Sequence, residues 1–185
     1  MPLKILAVGD MHLGRRPSRL PEELNEESES LGPSKAWEII VSTALSEKVN
    51  AVVMAGDVVN KDDDFFEAYR DLEKGVSKLT SAGIQVVGVA GNHDAKVLPR
   101  LAAALPGFKL LGEGGEWENV QLKNEGQSAT LWGWSFPRRA VEKSPLAGAS
   151  LDTKPGINLG LLPCDRGQTT SLYAPVSKEE LDNAG

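Results

Sequence analysis

The chain has 185 residues, 41% hydrophobic and 25% charged, a balance that suits one globular domain with a core of its own. The single Cys164 excludes an internal disulfide and fits a reducing compartment. No apolar run approaches the roughly 18 residues of a membrane span, so the expectation is a cytoplasmic protein with no membrane contact.

The opening, with one Lys and a short apolar run, reads as a first strand over Leu3–Val8 and not as a signal peptide. It ends in Asp10-Met11-His12. Pro17–Pro33 is polar and Glu-rich and reads as a long surface loop. Ser34 is placed to cap a helix running to about Lys48, with Trp37, Ile40, Val41, Ala44 and Leu45 at helical spacing. A second strand, Ala51–Met54, delivers Gly56-Asp57. Asp62–Asp64 suits the positive end of a second helix, whose buried face steps through Phe65, Tyr69, Leu72, Val76 and Leu79 until Ala82-Gly83 ends it. A third strand, about Ile84–Ala90, delivers Gly91-Asn92-His93-Asp94. The βαβαβ order implies a parallel sheet with right-handed crossovers.

Leu98–Leu105 reads as a short helix stopped by Pro106-Gly107. Beyond it, strand-like runs at Phe108–Leu111, Trp117–Leu122, Ala129–Trp134 and Ile157–Leu162 suggest a second sheet packed on the first. Ala140–Pro155 is expected to be loop. Ser177-Lys178-Glu179-Glu180 is a capping-box pattern opening a last short helix. The chain stops at Gly185, which reads as a helix end and not a domain end.

Three polar motifs thus follow three apolar strands, at the carboxyl edge where open α/β sheets bind ligands. Singly they are weak: Gly-Asp after a strand is most often only a turn, and a lone histidine is more often structural. In this order, each behind a strand, they point to a site. Asp10 and His12 offer a carboxylate and an imidazole, a donor pair for Mn, Fe or Zn. Asp57 has oxygens enough to bridge two ions, and Asn92 offers a neutral amide oxygen. Two divalent ions against two carboxylates leave positive charge that attracts a phosphate. Such a pair activates water and clamps an in-line displacement at phosphorus. His93 is placed to give a proton to a leaving oxygen, and Asp94 to orient its neighbours. Net charge is −6, against bulk attraction to nucleic acid, but bound ions would reverse the local field. Arg15 and Arg16, with Arg19, follow the first motif and are candidates for substrate contact. Arg138 and Arg139 read equally well as solvated surface.

Asp-x-His, Gly-Asp and Gly-Asn-His-Asp resemble the calcineurin-like metallophosphoesterase superfamily over nearly the whole chain. Gly56-Asp57-Val58-Val59-Asn60 lacks the Asp-Arg-Gly continuation of serine/threonine phosphatases. Asp10-Met11-His12-Leu13-Gly14 is instead similar to DNA-repair exonucleases of the SbcCD nuclease-subunit type. Gly133-Trp134-Ser135-Phe136-Pro137, Gly160–Asp165 and Tyr173-Ala174-Pro175 agree with that branch. The resemblance implies an α/β metallophosphoesterase-type αββα sandwich, with Asp10 and His12 on a first metal, Asp57 bridging, Asn92 on a second, and His93 catalytic. It also implies manganese as the leading ion (Fe, Zn or Mg as alternatives), DNA as substrate and an ATPase partner subunit. Other enzymes of the fold act on small phosphoesters, and a degenerate member would only bind nucleic acid or protein.

The family supplies three further histidines that this chain lacks; it has 2 His, both already used. Pro163 stands where one is expected after Gly160-Leu161-Leu162, and no Gly-His-x-His segment is present. The first metal therefore keeps three protein ligands and the second only Asp57 and Asn92. The expectations are a fold incomplete at its C-terminal end, one bound ion or none for this chain alone, weak activity, and self-association through an uncovered edge.

Overall fold

Strand β1 (Ile5–Val8) pairs in parallel with β2 (Ala51–Ala55), β2 with β3 (Gln85–Val89), and β3 with β4 (Phe108–Leu110). This is a computed structural model, and it describes residues 2–15, 32–149, 151–153, 155–168 and 170–184. Helices α1 (Pro33–Ser46), α2 (Phe65–Ser81) and α3 (Val97–Ala104) make the crossovers. The apolar run of β2 is buried from Ala51 to Met54, as a parallel strand covered on both faces must be. On one face, Val52, Met54 and Val86 pack under Trp37, Val41 and Ala44 of α1, Leu72, Val76 and Leu79 of α2, and Leu98 and Leu101 of α3. Phe65 and Tyr69, also expected on the buried face of α2, are only partly covered.

The other face carries Ala51, Val53, Val87 and Val89 against a second sheet, through Leu122, Leu131 and Leu161. That sheet is β5 (Glu118–Asn124), β6 (Gln127–Gly133) and β7 (Ile157–Leu161), a hairpin followed by a parallel strand. Glu125 and Gly126 turn the hairpin, both with positive φ (41° and 88°), the two-residue turn that matches strand twist. The layers run helices, sheet, sheet, a mixed α/β sandwich among the described residues.

Two local expectations need correction, and one element went unannounced. Ser34 does not cap α1: Pro33 occupies the first turn, Gly32 is the cap residue, and the Ser34 hydroxyl bonds the Asp71 carboxylate instead. Phe108–Leu110 joins the first sheet and not the second, because α3 ends at Ala104 and Gly107 (φ 88°) turns the chain back alongside β3. The segment before the last helix holds a small parallel ladder, β8 (Asp165–Arg166) with β9 (Pro175–Val176), that no periodicity announced. The capping box at Ser177 and Glu180 does form, opening α4 (Lys178–Asn183). Most of the Glu-rich loop, residues 16–31, lies outside the described residues.

One flank of the sandwich is open. Ile157 and Leu159 pair in register with Ala129 and Leu131, which are core, so they face inward. Yet they are 60% and 37% exposed. Four strands face three, and β1 has β2 as its one strand neighbour among the described residues. No helix among those residues is long and apolar enough to cross a membrane.

Candidate metal centre

The three parallel strands end in step: Val8 pairs with Met54, and Met54 with Gly88. The loops that follow are therefore delivered to one edge, and they are tied together there. Backbone N–H groups of Asp10, His12 and Leu13 donate to the carbonyls of Gly56, Asp57 and Val58, and Asn60 N–H returns to Leu13 O at 3.0 Å. Asp10, His12 and Asp57 all hold left-handed backbone (φ 51°, 48° and 49°). Non-glycine residues rarely sit there, and such strain persists where surrounding bonds fix it, commonly at functional sites.

One ligand atom from each of Asp10, His12 and Asp57 lies within 4.8 Å of the others, a spacing that suits a shared cation. His12 Nδ1 is buried, and nothing among the described residues hydrogen-bonds it. A buried imidazole nitrogen left without a partner is costly. Two carboxylates and an imidazole at one point fit a divalent transition metal.

Asp94 holds this half together from beneath. It is fully buried, accepting Val58 N–H at 2.7 Å and Val59 N–H at 3.1 Å on one oxygen, and Gly91 N–H at 2.7 Å on the other. Burial pushes its carboxyl up to about 7, the Val59 N–H draws it back, and the Asp57 charge raises it further. Asp94 thus fastens the second motif loop to the third. At the same junction, a Cβ on Gly91 would fall 2.1 Å from Asp57 Oδ1, so only glycine leaves room for that carboxylate.

His93 lies beside the triad. Its backbone N–H donates to Asp57 Oδ1 at 3.0 Å, and its ring meets His12 edge-on with centroids 5.0 Å apart. Its Nδ1 lies 3.1 Å from the Asn60 carbonyl oxygen. A carbonyl can only accept, so Nδ1 carries a proton and Nε2 is the nitrogen left to face a substrate. Asn60 is itself held, its side-chain amide donating to Asp64 Oδ2 at 3.1 Å. Asn60 escaped the sequence reading because it works through a main-chain oxygen, which no side-chain motif announces.

Asn92 is half-buried in the third loop. Pro163 packs against the second loop: a side-chain carbon on Gly56 would lie 3.0 Å from Pro163 Cγ and 3.3 Å from Gly91 Cα. A proline ring with no donor for a metal therefore borders the loops carrying Asp57 and Asn92. Ser135 and Phe136 brace the third loop from behind. Ser135 Oγ accepts Ala90 N–H at 2.8 Å and donates to Leu111 O, while Phe136 N–H donates to Ala90 O. Arg15 is exposed just after the first motif, its N–H on His12 O. Arg16 and Arg19 lie outside the described residues.

The calcineurin-like phosphoesterase family matches residues 3–179. The chain is similar to a DNA double-strand break repair protein Mre11 of Aeropyrum pernix, 35% identical over 112 residues, covering 57% of this chain and 26% of that protein. A Methanosarcina mazei protein of the same name is 31% identical over 94 residues, covering 51% and 14%. An uncharacterized metallophosphoesterase of Bacillus subtilis, YhaO, is 23% identical over 166 residues, covering 79% and 36%. The chain thus spans only part of the length of these relatives. With three strand-borne motifs converging on one edge, and the family matched from the first strand to the last helix, the chain belongs to the calcineurin-like phosphoesterases, divalent-metal-dependent hydrolases of phosphoester bonds.

Proposed function

We propose that this domain is a metal-dependent phosphodiesterase of the DNA-repair exonuclease type, with manganese as its leading ion, Asp10, His12 and Asp57 as the ligands of a first ion, and Asn92 as a ligand for a second wherever one is bound. The convergence of Asp10, His12 and Asp57, with ligand atoms within 4.8 Å of one another, carries the proposal. A divalent ion bound there would supply Lewis-acid charge for the phosphoryl oxygens and a nucleophile at neutral pH. The protein's part is to hold donors and move a proton. Asp57 is oriented by His93 N–H, and the Nδ1 contact with Asn60 turns Nε2 outward, where a protonated ring donates to the departing oxygen. Arg15, exposed at the rim, suits a flanking phosphate. The similarity to DNA double-strand break repair proteins supports DNA as substrate, the resemblance of the motifs to SbcCD-type nucleases is what suggests an ATPase partner, and the exposure of Ile157 and Leu159 supports self-association.

One ion, held by Asp10, His12 and Asp57, is the expected complement of this chain, with at most weak turnover. Hydrolysis of DNA ends and of nucleotide esters, compared with manganese present, tests the reading. Faster release from DNA ends, lost in His93→Ala, supports the exonuclease assignment; preference for small esters replaces it with a small-molecule phosphodiesterase. Robust turnover by the 185-residue chain would overturn the single-ion reading. Pro163 favours a second reading, a domain that binds DNA or protein without cleaving it. That reading predicts binding that survives His93→Ala and needs no manganese.

A further inference from the structure

An aromatic array borders the centre without contributing to it. Phe66, second in α2, is 80% exposed, an unusual setting for so large an apolar ring. It is braced rather than loose. Its ring meets Phe65 edge-on at 5.4 Å and 85°, and Phe65 packs against the core and stacks on Tyr69 at 6.2 Å and 17°. The Arg100 guanidinium lies over Phe65, 4.8 Å from the ring centroid. Both helices of the array start at the centre. Helix α2 follows the Asn60–Asp64 segment, whose Asn60 carbonyl meets His93, and α3 follows His93 itself through Lys96.

We propose that Phe66 is a stacking platform for a nucleobase flanking the phosphodiester bound at the centre, an assignment that rests on the nucleic-acid reading above. The ring face selects the occupant, since a flat group stacks on it. Exposed Asp62 and Asp63 precede it and disfavour a phosphate on the ring itself, while exposed Lys61 and Arg70 flank it with positive charge. Lys96, just ahead of α3, and Arg100 within it are both exposed and attract the strand's backbone on the neighbouring side. A base with its sugar-phosphate offers that combination; bases stack on aromatic rings without regard to sequence, so the platform would serve an enzyme working along a strand.

The test uses the full chain with manganese and a single-stranded phosphorothioate oligonucleotide carrying 2-aminopurine, read by anisotropy and by stacking-dependent quenching. Expected are binding with quenching by the unaltered chain, about tenfold or greater weakening in Phe66→Ala, and retention in Phe66→Trp. An oligonucleotide with abasic sugars at the stacked positions should bind more weakly and erase the difference between variants. Phe66 is exposed, so urea unfolding of Phe66→Ala should match the parent. If the parent binds and Phe66→Ala binds within about twofold of it, or the loss persists on abasic DNA, the platform is wrong while the nucleic-acid reading stands. If the parent binds no oligonucleotide, both fall.

Discussion

Around Asp10, His12 and Asp57 the chain concentrates its polar resources: strained backbone, a ladder of loop-to-loop hydrogen bonds, a fully buried carboxylate beneath, and an imidazole nitrogen without a partner. Across Gly56 the neighbouring wall is Pro163, packed near Gly56 and Gly91. Among the described residues, metal-competent side chains gather at Asp10, His12 and Asp57, whereas Pro163 offers no donor on its side of Gly56. The scaffold belongs to the fold, because Asp94 and Gly91 hold loops together, whereas a terminal ligand such as an expected histidine at 163 supports nothing else.

The largest effect should come from Asp94→Ala. It strands the buried N–H groups of Val58, Val59 and Gly91 and should cost about 4 kcal/mol in urea unfolding. A loss under about 1 kcal/mol would mean that the loops are held otherwise. Next comes Gly91→Ala, which forces the Asp57 carboxylate aside and should weaken manganese binding by about 10- to 100-fold in calorimetry. Unchanged affinity would separate Asp57 from the site. Pro163→His tests the poor half directly. A second manganese equivalent should appear, weaker than the first, and its absence would show that position 163 does not face the ion. The smallest change is expected from His93→Ala. Its link to Asp57 runs through the backbone N–H, so manganese affinity should stay within about threefold while any phosphodiester turnover disappears.

The strong half was legible in the sequence because Asp10, His12 and Asp57 follow uninterrupted apolar strands, and strand ends in step bring their loops together. The burial of Asp94 was not legible: a carboxylate in a Gly-Asn-His-Asp turn looks solvent-facing until the loop beneath it is known. Asn60 was silent because its carbonyl, not its amide, meets His93. Phe108–Leu110 has the character of any short strand, and its sheet is chosen by pairing with β3, which no local pattern encodes. The two-residue ladder of Asp165–Arg166 with Pro175–Val176 is shorter than any period can mark. Ser34 misled because a serine after proline resembles a cap, while the helix had already begun at Pro33.

The most direct test of the unequal centre is a manganese titration of the chain by calorimetry, run beside Asp57→Ala. One ion per chain, lost in the variant, is the predicted result. Two ions of comparable affinity, or one ion that survives the loss of Asp57, would contradict it.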